Sequence, residues 1–481
     1  MKKIIASLIL VSLFQSCDND ALTATNNDPN SYYTTVPSTL VTYAEKQLTD
    51  YMNTPSVNIN NLRLTMQYWQ ETTYTDESQY NFVPRTVTDN VWNYLYVRTL
   101  KNLDQSKKLV AAYNPTASES PTWETTKKNQ LAIIDMLQVF TYQTLVDTNG
   151  DIPYSESLDV DKFPLPKYDD GKTVYAQLIT RLKADLANLD TTGTSFSSGE
   201  KFYNGNVAKW KKFGNSLLLK LGIAIADSDP TLAQATCTEA LAGGVFTSSA
   251  DDCNLAYLSA SPNYSQLYAN LVASNRNDFV AGKTIVDKMN ATADPRRAAY
   301  FQTKNGVYVG GTIGVNSPFS TYSAPGTFAY SATTPGILLN YTEVAFYKAE
   351  AAARWNIGGS AASLYADAVN ASFLQWGRTS TEATAYLAAN PYNAANWKQS
   401  IGTEAWLAMY NQPVQAWNFY RRLDYPVLAA AVNAVADANN KVPVRLQYPV
   451  NEQTTNPTNY KAASTAIGGD YLYTKLFWDK F

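Results

Sequence analysis

Tyr175, Leu178, Ile179, Leu182, Leu186 and Leu189 recur at i, i+3, i+4, i+7, i+11 and i+14, which paints one apolar face along a helix. Trp92, Leu95, Tyr96, Leu100 and Leu103 form a second such stripe, and Leu131, Ile134, Leu137 and Phe140 a third. Helical stretches are also expected over 38–52, 206–226, 340–355, 361–376, 394–410 and 413–421. Several fall as neighbouring pairs, the pattern of helical-hairpin repeats of the tetratricopeptide kind, although no strict 34-residue signature recurs. Residues 243–340 and 427–481 read differently. Gly, Ser, Asn, Pro and Tyr dominate there with little period, so they are expected as loop-rich regions, where binding residues sit on a rigid scaffold.

Composition narrows the chemistry. The 481 residues include no histidine, which removes Ser-His-Asp and Cys-His nucleophiles, HExxH zinc sites and imidazole acid–base catalysis. Carboxylate, Lys and Tyr chemistry stays open. The balance of 38 basic against 41 acidic residues gives no electrostatic footprint for nucleic acid. What stands out is 34 Tyr and 10 Trp beside only 16% charged residues.

Met1-Lys2-Lys3 followed by the apolar run Ile4 to Phe14 reads as a signal peptide, residues 1–16, too short for a membrane span of about 20 residues. Leu13-Phe14-Gln15-Ser16-Cys17 resembles a bacterial lipobox, so Cys17 is the expected lipidation site. Residues 17–36, rich in Asn, Asp and Thr, read as a polar tether leading to a body at 37–481. Two cysteines then remain. In an oxidising compartment an even remainder suggests a Cys237–Cys253 bridge, with two separate buried thiols as the other outcome.

Local motifs for other chemistry break down. Gly282-Lys283-Thr284 ends like a P-loop, but Asn277 stands where its first glycine must be. Asp147, Asn149 and Asp151 have calcium-loop spacing, yet Ile152 and Leu158 occupy the positions of the required Gly and Glu. Glu343 and Glu350 share a helix face but lie about 10 Å apart along its axis, so helix-pairing roles are expected of them. Arg421 and Arg422 are expected to complement a helix end or to pair with such acids. No metal site and no cofactor are expected.

Taken together, several strings resemble the SusD/RagB family of nutrient-binding outer-membrane lipoproteins over nearly the whole chain. They are Gly150-Asp151-Ile152-Pro153-Tyr154-Ser155-Glu156, Lys209-Trp210 to Asn215-Ser216-Leu217, and Asp294-Pro295-Arg296-Arg297. Asn340-Tyr341-Thr342-Glu343 to Glu350-Ala351 and Ala371-Ser372-Phe373 follow, then Trp417 to Tyr425-Pro426, Pro443-Val444-Arg445 with Tyr448-Pro449, and Asn456 to Tyr460. The resemblance implies a mainly α, SusD-like fold: tetratricopeptide-like helical hairpins, here mainly 87–226 and 340–422, packed against a loop-rich, mostly irregular half. It also implies a partner, a SusC-like TonB-dependent outer-membrane transporter. Asp18-Asn19-Asp20 is similar to the acidic surface-export signal of Bacteroidetes lipoproteins.

The expected function is capture of a nutrient, first an oligosaccharide, whose apolar C–H faces stack on aromatics while amides bond its hydroxyls. An oligopeptide ligand is the alternative, and a carboxylate-based glycosidase a more distant one. Trp69, Tyr74 and Tyr80, in a stretch between two helical segments, are the first candidate contacts. From the loop-rich half, as the resemblance implies, come Asn263, Tyr264, Tyr268, Arg276, Tyr322 and Tyr330.

Overall fold

The computed structural model describes residues 35–480. Cys17, the signal peptide and most of the tether lie outside the described residues.

The chain enters α1 (Pro37–Asn53) with proline in the first turn, where a missing N–H costs nothing. Residues Val87–Trp92, Asn93–Leu100 and Lys101–Ala112 follow as one continuous helix, α2, whose middle is π-helical. Leu95, Leu100 and Leu103 of its stripe are buried, whereas Trp92 and Tyr96 are only half-buried. The five-residue step from Leu95 to Leu100 suits the i→i+5 winding of a π-turn and turns the Trp92–Tyr96 side outward.

Next come α3 (Ser120–Asn149) and α4 (Gly171–Asn188), α5 (Val207–Ala224) and α6 (Pro230–Gly243). Asp170, Asn206 and Asp229 cap α4, α5 and α6 by accepting a backbone N–H in each first turn. After α7 (Lys283–Ala291) the chain continues through α8 (Tyr341–Trp355), α9 (Ala361–Gln375), α10 (Ser380–Ala389), α11 (Trp397–Ala408) and α12 (Pro413–Leu423). The pairs α3/α4, α5/α6, α8/α9 and α11/α12 each pack as hairpins, and α4 on α5, α5 on α8 and α8 on α11 stack them in series. The expected mainly α, hairpin-built fold is therefore the observed one. The irregular half is not free of helix: α7 and Pro457–Ala466 lie in segments read from sequence as loop. No helix among the described residues is long and apolar enough to cross a membrane.

Buried ions hold the stack in register. Glu350 on α8 meets Arg422 on α12 at 2.8 Å and Arg354 at 2.9 Å, and Glu343 meets Lys220 on α5 at 3.1 Å. Both acids therefore pair helices, as expected. Arg421 donates to the carbonyls of Asp147 and Val444, and Asp147 also accepts from Asn418 and Tyr175, so the Asp147–Asp151 turn is a structural joint. There Gly150 takes φ 96°, and a Cβ would press on Leu476 at 3.2 Å. Arg296 is fully buried between Asp294 and Glu404, at 2.7 and 2.9 Å.

The expected Cys237–Cys253 bridge is not formed. Cys237 lies inside α6 against Gly222, with its Sγ 3.9 Å from the Leu219 carbonyl, while Cys253 sits in a strand beside Tyr203. Burial pushes both thiols above their ordinary range. An even cysteine count says nothing about where the two side chains point.

Candidate ligand-binding site

A short ribbon organises the site. Strand β1 (Trp69–Glu71) pairs antiparallel with Phe279–Ala281, Trp69 opposite Ala281 and Glu71 opposite Phe279. Thr72 continues the ladder, its N–H donating to the Asp278 carbonyl at 2.9 Å and its hydroxyl to the Asn277 carbonyl at 2.8 Å. Two residues further along each arm come Tyr74 and Arg276, so the ribbon delivers both to its outer end. Tyr74 is 66% exposed, a large aromatic held in water. Arg276 is exposed and pairs with Asp278 at 2.8 Å.

The loop 72–81 is folded on itself and braced. Gln79 donates to the Thr75 hydroxyl and to the Gly314 carbonyl, and Asn81 to the Asp76 carboxylate. On the other edge of β1, Ser317 N–H donates to the Glu71 carbonyl and Gly314 N–H to the Gln70 side chain. Beneath the loop, Glu71 accepts from Ser78 N–H at 2.9 Å, and buried Glu77 pairs with Arg85. Burial, reinforced by Glu77 alongside, pushes the Glu71 carboxyl up to about 8. Glu71, Glu77 and Arg85 are not among the residues expected from the sequence. Their signal was two glutamates bracketing one loop.

Trp69 and Tyr80 are corrections. Trp69 is fully buried, its Nε1–H donating to the Tyr410 hydroxyl at 2.7 Å, its ring against Phe279 and under Arg63. Tyr80 is likewise buried, its hydroxyl accepting from Ala431 N–H. Strand alternation within a fully covered β1 leaves no solvent face for Trp69, and Tyr80 closes the loop by turning inward at φ 71°.

A second patch carries Asn263, Tyr264 and Tyr268. Asn263 is exposed, and the half-buried rings of Tyr264 and Tyr268 lie 5.3 Å apart. From Tyr268 the chain winds through the helical turn Ala269–Ala273 and then leaves it, with Asn275 left-handed at φ 54°, to reach Arg276, which connects the patch along the chain to the ribbon tip. Tyr330 ends the turn Thr327–Tyr330, which packs on Gln266–Tyr268. Its hydroxyl has no partner among the described residues, and burial pushes it up to about 12. Tyr322 stands apart, half-buried and next to Ser323, whose carbonyl accepts from Ala281 N–H at the other end of the ribbon.

Phe328 of the Thr327–Tyr330 turn also walls a cavity of about 760 Å³ between α8, α9 and the strand Cys253–Leu255, with Tyr341, Trp376, Asn254 and Gln375. A second cavity, about 470 Å³, opens beside the half-buried Trp92 and Tyr96. Among the described residues no cluster of His, Cys, Asp or Glu is arranged to hold a metal ion.

Stacked helical hairpins here carry an irregular face on which Tyr74, Asn263 and Arg276 are exposed. A family model described as SusD-like, starch-binding and associating with the outer membrane matches residues 29–449, and the chain belongs to that family. Its members are binding proteins associated with the outer membrane. Among solved structures, a chitin-binding protein is 26% identical with TM-score 0.81, covering 92% of this chain and 100% of its own. A SusD homologue from Bacteroides uniformis is 25% identical, TM-score 0.75, covering 92% and 99%. A chitin-binding SusD homologue from Flavobacterium johnsoniae is 23% identical, TM-score 0.74, covering 92% and 97%. No curated protein matches the sequence.

Proposed function

We propose that this protein captures an oligosaccharide at the ribbon tip and the adjoining tyrosine patch, and delivers it to a SusC-like TonB-dependent outer-membrane transporter without catalysing a reaction. Tyr74 carries the reading. It is an aromatic side chain held in water by a braced loop, at the outer end of a ribbon whose other arm carries Arg276. Such a ring loses water-facing area when a sugar ring stacks on it, and Asn263, Tyr264 and Tyr268 extend the same kind of surface along the chain. The 26% identical chitin-binding protein makes β-linked N-acetylglucosamine oligomers the first ligands to try.

Glu343 and Glu350, two carboxylates on one helix face, are consumed by buried ion pairs with Lys220, Arg354 and Arg422, which supports binding without hydrolysis. In this reading a lipid on Cys17 holds the body at the cell surface. Calorimetric titration with N-acetylglucosamine oligomers, maltooligosaccharides and short peptides tests the reading: saturable binding to a saccharide is expected, and binding to peptides alone would replace it with the peptide reading.

A further inference from the structure

The loop that presents Tyr74 is closed at its base by two carboxyl groups. Glu71 ends β1 on one side and Glu77 stands on the other, and both are buried. Glu71 accepts from the N–H of Ser78, the residue directly after Glu77, which brings both carboxyl groups to the same end of the loop. Among the described residues one cation serves them, Arg85, which pairs with Glu77. Around the pair, Ser78 N–H is satisfied by Glu71 Oε2, while Glu77 Oε2 is buried with no hydrogen-bond partner among the described residues. The remaining neighbours bring no compensating charge: β1 itself, the segment 312–317 and the strand Phe279–Ala281 carry no Lys or Arg, Arg276 is engaged by Asp278, and Asp76 accepts from Asn81.

Two carboxylates against one guanidinium leave a net buried negative charge, which is costly in such surroundings. A single proton resolves both difficulties: placed on Glu71, it donates to the orphan oxygen of Glu77. From this geometry we infer that a proton shared by Glu71 and Glu77 positions the 72–81 loop, making these two glutamates positioning residues for Tyr74 and coupling ligand capture to pH. The upward shift of Glu71 to about 8 is in keeping with this and sets the range in which the device acts. When the proton leaves, like charges face each other behind Ser78, and the loop base opens.

The capture step rests on the carbohydrate reading, but the positioning does not, so the test has two arms. In the ligand-free arm, hydrogen exchange over residues 72–81, corrected for its intrinsic pH dependence, is compared at pH 7 and pH 9. Wild type is expected to lose protection about tenfold, following the protonated fraction of a group titrating near 8. Glu71→Gln, whose amide donates to Glu77 and accepts from Ser78 with no proton to lose, is expected to stay protected at both pH values. Equal protection at both pH values in wild type, or the same loss in Glu71→Gln with its melting temperature unchanged, overturns the proposal. In the second arm, affinity for an N-acetylglucosamine tetramer is expected to fall about tenfold from pH 7 to pH 9 in wild type and to stay level in Glu71→Gln. Level binding in wild type overturns the coupling. Absence of binding to any saccharide at either pH counts against the carbohydrate reading, with the exchange arm still deciding the positioning.

Discussion

Trp69 and Tyr74 stand five residues apart and have opposite fates. A buried ring is held by many neighbours, whereas an exposed one is free to meet a ligand. Trp69→Ala removes the stack on Phe279 and the bond to Tyr410, and is expected to destabilise the fold by roughly 3–5 kcal/mol. Tyr74→Ala is expected to leave the melting temperature nearly unchanged while weakening saccharide binding by about 1–2 kcal/mol, five- to thirty-fold. Thermal melting and calorimetry on the two variants separate these outcomes. The cysteines offer a simpler check. In a Cys17→Ser form, no thiol should react with a disulfide reagent under native conditions, and two should react on unfolding without reductant. A bridge would leave none.

Within the α3/α4 hairpin a second acidic pair couples stability to pH. Asp135 on α3 is bound by Arg181 at 2.7 Å and by Lys107, which hold its carboxyl below the usual range. Asp185, a turn further along α4, has no such cation of its own, and burial together with Asp135 pushes it up to about 9. The folded state therefore keeps a proton on Asp185 that the unfolded chain releases near pH 4. Stability from this group is fully present below that point, declines as pH rises, and is gone above about 9. Asp185→Asn should melt above wild type at pH 8.5, with the gap closing toward pH 4. A gap independent of pH would contradict the assignment. The hairpins themselves were legible in the sequence, because Tyr175, Leu178, Ile179 and Leu182 advertise one buried face and all four are buried. The π-turn of α2 was less so, since a 3.6-residue template absorbs Leu95 and Leu100 without registering their five-residue step. The ribbon was invisible. Three-residue strands carry no usable period, and the partner of Trp69 lies more than 200 residues away.

At the scale of the molecule, family membership was readable from the order of many short strings, and the structure shows what residues of those strings do in this chain. Asp294 and Arg296, Glu350 and Arg422, and Arg445 with its bonds to Asn149 are buried joints of the scaffold, not ligand contacts. The proposed site was legible only as a region. Tyr74, Arg276, Asn263, Tyr264 and Tyr268 fall on the linked surface, but aromatic residues look alike in a sequence whether they face water or the core, and Trp69 and Tyr80 were read as exposed for that reason. Anchoring is separable from capture: Cys17→Ala should shift the protein from the membrane fraction to the soluble fraction in cells lacking the transporter, because loss of the acyl chains removes the attachment. Unchanged membrane fractionation would contradict lipidation. Most directly, the central claim is tested by calorimetric titration of the soluble body, wild type beside Tyr74→Ala, with N-acetylglucosamine oligomers, maltooligosaccharides and peptides. The account expects saturable saccharide binding that drops five- to thirty-fold in the variant at unchanged melting temperature; binding to peptides alone, or saccharide affinity indifferent to Tyr74, would contradict it.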